Sequence, residues 1–215
     1  TTKHICYMHS PGRMFWEPFD YFEDESFGFL KPIKFLSKPF LKFPLSYTRV
    51  KDFEVSKKVD VFISNSRTTQ KRIKKYYGRE SEIIYPFIDF DKFKEIAPEA
   101  GDFFLIITRL APWKRVDIAV KACNDLNEKL KIIGVGPDLK RLKSLAGPSI
   151  EFLGYGTDKG KIENIRKCRA VIITQKEDFG IVPLEAMACG KPVIAFGQGG
   201  ATETIVAGIT GEFFG

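Results

Sequence analysis

Three features of the sequence predict an α/β fold built on parallel sheets. From Phe103 onward, short apolar runs alternate with stretches of helical period, the pattern of a parallel sheet covered on both faces. Several runs stop at glycine-rich turns, among them Ile133-Gly134-Val-Gly136-Pro137 and Gly197 to Gly200. The run Ala170-Val-Ile-Ile-Thr174 leads through a loop to Pro183. Proline suits a helix start, because its fixed φ fits there and it has no N–H to leave unpaired.

In order, the second half reads as strand 103–108, helix 116–126, strand 130–134, helix 137–145, strand 150–153, helix 159–168, strand 170–174, helix 183–189, strand 193–196 and helix 201–207. The first half is less regular. Residues 3–11 read as a short strand closing at His9-Ser10-Pro11, 46–58 as a helix with a thin apolar stripe, and 59–65 as a buried strand. Ser66 suits the N-cap of a basic helix through Tyr77, Gly78 can end that helix, and 82–85 supplies a further strand before Pro86. Residues 88–101 hold no period and contain Pro98 and Gly101, which marks them as a linker between domains at 1–87 and 102–215.

At 215 residues with 44% hydrophobic content, the chain has material for one large core or two small ones. Cys6, Cys123, Cys168 and Cys189 stand singly in or beside apolar segments, so buried free thiols and a reducing compartment are expected. His4 and His9, the two histidines, have no ligand cluster around them, and no metal site is expected. No signal peptide and no apolar run near eighteen residues is present, so no membrane span is expected. The chain has no initiator Met and stops at Phe213-Phe214-Gly215, which reads as a piece of a longer protein.

The net charge of +7 lies in the first half: residues 31–79 hold 14 Lys and Arg against three acidic residues, while 96–215 hold 16 against 14. Within it, the stretch from Phe27 to Pro44 interleaves Lys with Phe, Leu and Ile, a composition that suits an anionic membrane surface, extended in our reading over residues 27–58. The alternative is a solvated face whose Phe residues pack inward, and three prolines argue against one long amphipathic helix. No nucleic acid is expected as a partner.

The chemistry concentrates between Thr174 and Glu203. Glu177 falls on the loop leaving a strand, and Glu185 in the first turn of the following helix, the edge of an open α/β sheet where ligands bind. The backbone amides of the Gly180 to Leu184 stretch gather at that helix start, whose partial positive charge favours a phosphate. Strand, loop and proline-led helix are also ordinary α/β architecture, and spacing alone does not separate the two readings. The run Glu177-Asp-Phe-Gly-Ile-Val-Pro-Leu-Glu185-Ala-Met-Ala-Cys-Gly190-Lys-Pro-Val-Ile-Ala, followed by Gly199-Gly200-Ala-Thr-Glu203, closely resembles the signature of the retaining glycosyltransferases of family 4 (group 1). Those enzymes have a GT-B fold of two Rossmann-like domains, and their hallmark is two Glu separated by seven residues.

The resemblance implies that 102–215 is a nearly complete nucleotide-sugar donor domain and 1–87 the C-terminal part of an acceptor-side domain whose first strands lie outside the chain. It implies Glu177 at the donor sugar ring, Glu185 at the ribose hydroxyls, and transfer of a hexose with retention. Thr108-Arg109-Leu-Ala-Pro-Trp-Lys114-Arg115 is similar to the family's Gly-Arg-Leu-x-x-x-Lys-Arg motif, which assigns Arg109 and Lys114 to the donor diphosphate, with Thr108 where a glycine is usual. Gly134 and Gly136 correspond to glycines that let backbone approach the nucleotide, Gly154 to the strand end that holds the base, and Phe179, Gly180, Ile181 and Val182 to the phosphate-binding turn. His9-Ser10-Pro11 resembles the His-x-Pro motif that faces donor phosphate or acceptor. Arg115 is assigned to packing or the surface.

The expected reaction moves a sugar from a nucleoside-diphosphate donor, GDP-mannose before a UDP-sugar, to a glycan or lipid-linked acceptor. No cofactor and no metal are expected, and the expected place is the cytoplasm or the inner face of a membrane. A GT-B nucleotide-sugar epimerase and a nucleotide-binding fragment without turnover are the alternatives.

Overall fold

A computed structural model of the chain describes residues 2–17, 34–93, 99 and 101–215, and leaves out the side chains of 34–42. Residues 27–33 of the basic aromatic stretch, and 94–98 and 100 of the expected linker, lie outside that description. Two compact units emerge, Thr1–Tyr85 and Pro86–Gly215.

The first unit carries a three-stranded parallel sheet in the order β1 (Ile5–Met8), β2 (Val61–Ser64), β3 (Glu82–Ile83). A short helix α1 (Arg13–Trp16) follows β1, α2 spans Lys34–Ser56, and α3 spans Arg67–Tyr77. The caps of α3 are those its sequence calls for: the Ser66 hydroxyl accepts from Thr69 N–H at 3.0 Å, and Gly78 ends the helix in the left-handed conformation. Val59, Phe62, Ile73 and Tyr77 form a small core with Trp16 and Phe53 packed on it.

Helix α2 corrects the expectation that prolines exclude a long helix here, because it runs through Pro39 and Pro44. An interior proline removes one backbone hydrogen bond and crowds the carbonyl four residues earlier, a local penalty that tertiary contacts can offset. Those contacts gather at the other end of the helix. Arg49 Nε donates to the Phe15 carbonyl at 2.5 Å, and Trp16 Nε1 and the Tyr77 hydroxyl both donate to Asp52 at 2.7 and 2.8 Å. Burial, and then the hydrogen bond to Asp52, push the Tyr77 hydroxyl above the usual phenol range.

The second unit is a six-stranded, wholly parallel sheet in the order β6-β5-β4-β7-β8-β9. Its strands are β4 (Phe103–Ile107), β5 (Lys129–Ile133), β6 (Ile150–Gly154), β7 (Ala170–Ile173), β8 (Val193–Phe196) and β9 (Gly211–Phe214). The crossover helices are α4 (Val116–Asp125), α5 (Leu139–Leu145), α6 (Asp158–Lys167), α7 (Val182–Ala188) and α8 (Ala201–Thr204). Neighbouring residues of β4 and β5 enter opposite cores, as the pleat requires. Ile106, Leu130 and Ile132 meet α4 and α5 through Val116, Val120, Cys123 and Leu142, while Leu105 and Ile133 join Val171, Ile165, Ala186 and Cys189 on the other face. That double burial explains why these strands read as unbroken apolar runs.

The carboxyl-terminal end of the sheet differs from expectation in two ways. Helix α8 stops at Thr204 rather than 207, because Val206 N–H donates instead to the Thr210 hydroxyl at 2.9 Å in a tight turn. The chain then adds β9, which the sequence did not announce. Gly211 lies against Val193, whose carbonyl would be 2.0 Å from any added Cβ. Cys123, Cys168 and Cys189 are buried free thiols and Cys6 is half-buried; burial pushes Cys123 and Cys168 up to about 11. No helix among the described residues is long and apolar enough to cross a membrane.

Candidate functional site

The strand order reverses between β4 and β7. After β4 the chain winds outward through β5 and β6, then returns to place β7 on the other side of β4. Loops leaving the carboxyl ends of two strands that diverge in this way splay apart and leave a crevice. The loops here are 108–115 and 174–181, which hold Arg109, Lys114 and Glu177.

Lys114 ends a 3-10 turn, Pro112–Lys114, and the next residue, Arg115, turns left-handed at φ 52° before α4 begins. The turn drives the lysine inward, to 9% exposure, an unusual depth for this residue type. Its ammonium lies 4.4 Å from the Trp113 ring centroid and 2.7 Å from Glu177 Oε1. The Lys114 carbonyl accepts from the Thr174 hydroxyl at 2.6 Å, so backbone and side chain both tie the β4 loop to the β7 loop. The amide of buried Gln175 also donates to Glu177 Oε1.

Glycines fix the loop that carries Glu177. Gly199, at φ +75°, forms a bridge with Glu177, and Gly200 N–H donates to the Glu177 carbonyl at 2.8 Å. A Cβ on Gly199 would stand 2.3 Å from that carbonyl oxygen, and one on Gly200 2.3 Å from Phe179 Cα. The Gly197 to Gly200 turn therefore seats the Glu177 to Phe179 backbone. Gly134 and Gly136 act similarly on the neighbouring loop: added Cβ atoms would meet the Thr108 and Leu110 carbonyls at 1.8 and 2.0 Å. Leu110 N–H donates to the Val135 carbonyl and Asp138 N–H to that of Leu110, both at 3.0 Å.

Glu185 sits in the first turn of α7 at 9% exposure. Lys161, on the first turn of α6, reaches its Oε1 at 2.6 Å, while Oε2 is buried with no hydrogen-bond partner. A buried carboxylate oxygen left unpaired is costly, and native structures leave few such atoms without a use. Gly180 adopts φ +86°, Phe179 is buried, Ile181 is exposed and Val182 opens the helix. Since Pro183 has no N–H, the donors in this turn are those of Gly180, Ile181, Val182 and Leu184. The helix is only seven residues long, so the two cations carry more of the positive charge than its dipole does.

Arg109 is exposed, and its side chain has no hydrogen bond or ion pair among the described residues. Gly154 closes β6 at φ +72° with open space around it, followed by Tyr155 at the surface. His9 belongs to the first unit, where it is exposed just beyond β1, edge-on to Tyr7 at 5.3 Å, its carbonyl accepting from Thr69 Oγ1 at 3.0 Å. Sequence reasoning missed Lys161 and Gln175. Among the described residues, no three His, Cys, Asp or Glu side chains converge as metal ligands.

The comparisons with known proteins bear on the family and the fold. Residues 87–215 match the family model described as glycosyl transferases group 1. An alpha-1,3/1,6-mannosyltransferase of Saccharomyces cerevisiae is 29% identical over 223 residues, covering 78% of this chain and 44% of its own length. A GDP-mannose-dependent alpha-(1-6)-phosphatidylinositol monomannoside mannosyltransferase of Mycolicibacterium smegmatis is 29% identical over 194 residues, covering 71% and 48%. An Anabaena protein crystallised with UDP and glucose superimposes at a TM-score of 0.69 with 24% identity, over 80% of this chain and 54% of that one, a likeness of fold. The chain thus spans about half the length of each of these. With parallel Rossmann-like sheets of GT-B type and a family match over more than half of its residues, the chain belongs to the group 1 glycosyl transferases.

Proposed function

We propose that the second unit binds a nucleoside-diphosphate sugar, and that the whole protein transfers the sugar, mannose from GDP-mannose in our reading, to a glycan or lipid-linked acceptor with retention of configuration. The observation that carries this is the Lys114–Glu177 pair across the β4/β7 crevice. Breaking a sugar–diphosphate bond leaves negative charge on the nucleotide and positive charge at the anomeric carbon. A lysine beside a carboxylate supplies both complements within one crevice. Of the three Lys114 N–H donors, Glu177 needs one, so the ammonium can hold phosphate without releasing the carboxylate. Arg109, exposed and with an unpaired side chain among the described residues, adds a planar fork to the diphosphate. Glu177 meets the sugar, Glu185 the ribose, and His9 the acceptor side. The two mannosyltransferases among the relatives support the choice of donor. Isothermal titration with GDP and UDP, followed by turnover of the matching donor by the full-length protein, tests the reading; failure of both nucleotides to bind would overturn it.

With these cations placed for the leaving group, transfer needs neither divalent metal nor cofactor. Activity should survive EDTA, and loss restored by Mg²⁺ or Mn²⁺ would refute this part. The acceptor side meets an anionic membrane surface: α2 leaves Phe43, Tyr47 and Val50 exposed at helical spacing, with Lys51 over the Tyr47 ring at 5.5 Å. Cosedimentation with vesicles containing phosphatidylserine, but not with phosphatidylcholine alone, is expected at low salt; equal recovery with both refutes the contact.

A further inference from the structure

We propose that Lys161 is a positioning residue for the nucleotide site: it holds one oxygen of Glu185 so that the other faces a ribose hydroxyl. The proposal rests on the nucleotide-sugar reading above and adds a residue that the double-Glu motif does not contain. Glu185 is nine-tenths buried, and its two oxygens differ sharply in environment. Oε1 accepts from Lys161 Nζ at 2.6 Å, whereas Oε2 accepts from nothing among the described residues.

A carboxylate removed from water needs a counter-charge, and Lys161 supplies one from a different helix, 24 residues earlier in sequence. It also fixes the carboxylate plane. With Oε1 tied, rotation about the last side-chain bond is restrained, and Oε2 is held where an acceptor is missing. The placement follows from the fold: α6 and α7 lie on the same face of the sheet, with Ile165 and Ala186 in one core, which sets their first turns side by side. Lys161 itself is half-buried, and its stem packs where a surface lysine would wander.

The test compares GDP with its 2′,3′-dideoxy counterpart by calorimetry on the full-length protein and its variants, or UDP and its counterpart if UDP binds more tightly. The wild type should prefer the hydroxylated nucleotide by about tenfold or more, the effect of a hydrogen bond to a charged acceptor. Lys161→Met should bring that ratio to within about threefold of unity and leave dideoxynucleotide affinity near wild type, while Lys161→Arg should restore most of the preference. Since Lys161→Met strands a buried charge and can lower folding yield, the double variant Lys161→Met/Glu185→Gln provides a second measurement. Its ratio and its dideoxynucleotide affinity should equal those of Glu185→Gln alone. If Lys161→Met weakens both nucleotides equally and keeps the ratio, or the double variant binds dideoxynucleotide worse than Glu185→Gln, Lys161 touches the ligand itself and the proposal is overturned. A wild type with no preference would instead remove the ribose from Glu185, and the proposal would fall with that reading.

Discussion

The two ends of the six-stranded sheet carry the same kinds of ion pair in different surroundings. At the amino end, Lys129 meets Asp102 at 2.5 Å with side chains 64% and 71% exposed, and Arg169 meets Glu128 at 3.3 Å. At the carboxyl end, Lys114 and Glu177 are 11% and 26% exposed, and Lys161 and Glu185 23% and 12%. Pairs in water contribute little to stability and are screened by salt. Pairs removed from water have lost hydration that their mutual attraction only partly returns. A fold selected for stability alone gains nothing by burying them, so the contrast locates the edge where charge serves a ligand. The experiments below test whether that partition holds.

The largest effect is expected at Glu177. On the proposed reading its carboxylate would meet a charge that appears only as the sugar–phosphate bond breaks, so Glu177→Gln should lower kcat by on the order of a hundredfold or more, with nucleotide affinity near wild type. Steady-state kinetics and calorimetry on the full-length enzyme measure both. Destroyed GDP binding with kcat spared would exchange the roles of the two glutamates.

The cations come next. Lys114→Ala and Arg109→Ala should each weaken nucleoside-diphosphate binding by about tenfold to a hundredfold, since a charge-assisted hydrogen bond lost at a partly desolvated site is worth about 1.5–3 kcal/mol. Nucleoside without phosphates should bind as before, and equal losses for both would sink the assignment. The structure also separates the two variants. Removing Lys114 breaks the ion pair with Glu177 and the contact with Trp113, whereas the Arg109 side chain has no partner to lose among the described residues. Tm should therefore fall in Lys114→Ala and hold in Arg109→Ala.

Glu185→Gln should produce a smaller, different defect. An acceptor for ribose hydroxyls acts alike in ground and transition states, so KM should rise by about tenfold with kcat nearly intact, the mark of uniform binding. A parallel fall in kcat would put Glu185 in the chemistry.

How far the sequence carried these assignments depended on whether a residue's neighbours were local. Both ends of α3 were legible because Ser66 and Gly78 act within a turn of themselves, and β8 was legible because Val193 to Phe196 is apolar on both faces. Strand β9 was not: its Gly and Glu carry no strand pattern, and only β8 alongside makes it one. In α2, proline's local penalty was visible, while Arg49 and Asp52 anchor the helix through contacts 25 to 36 residues distant, which spacing does not encode. Arg109 and Lys114 stood out through one contiguous motif, and Glu177 and Glu185 through another. Lys161 did not, because a lysine in the charged helix Asp158–Lys167 reads as solvated until α7 is packed beside it. Gln175 was hidden for the same reason, and the clasping roles of Gly134 and Gly199 needed the opposing loop to be in place.

The smallest effects should come from the amino end, and they test the contrast from its other side. Asp102 has its carboxyl held below the usual carboxylate range by the hydrogen bond from Lys129 and then by that residue's charge. A depressed folded-state pKa adds stability above the unfolded value and loses it as pH falls through the folded one, so this pair should matter least in strong acid and most near neutrality. Both groups are exposed to solvent, which leaves little of the attraction as net stability. Lys129→Ala should therefore shift Tm barely above the error of calorimetry at low salt, and not at all in molar salt, where the Debye length is about 3 Å. Nucleotide affinity, kcat and KM should match wild type. If Lys129→Ala weakened nucleotide binding as Lys114→Ala does, exposure would not separate the working edge of this sheet from the idle one, and the crevice between β4 and β7 would lose its claim as the site.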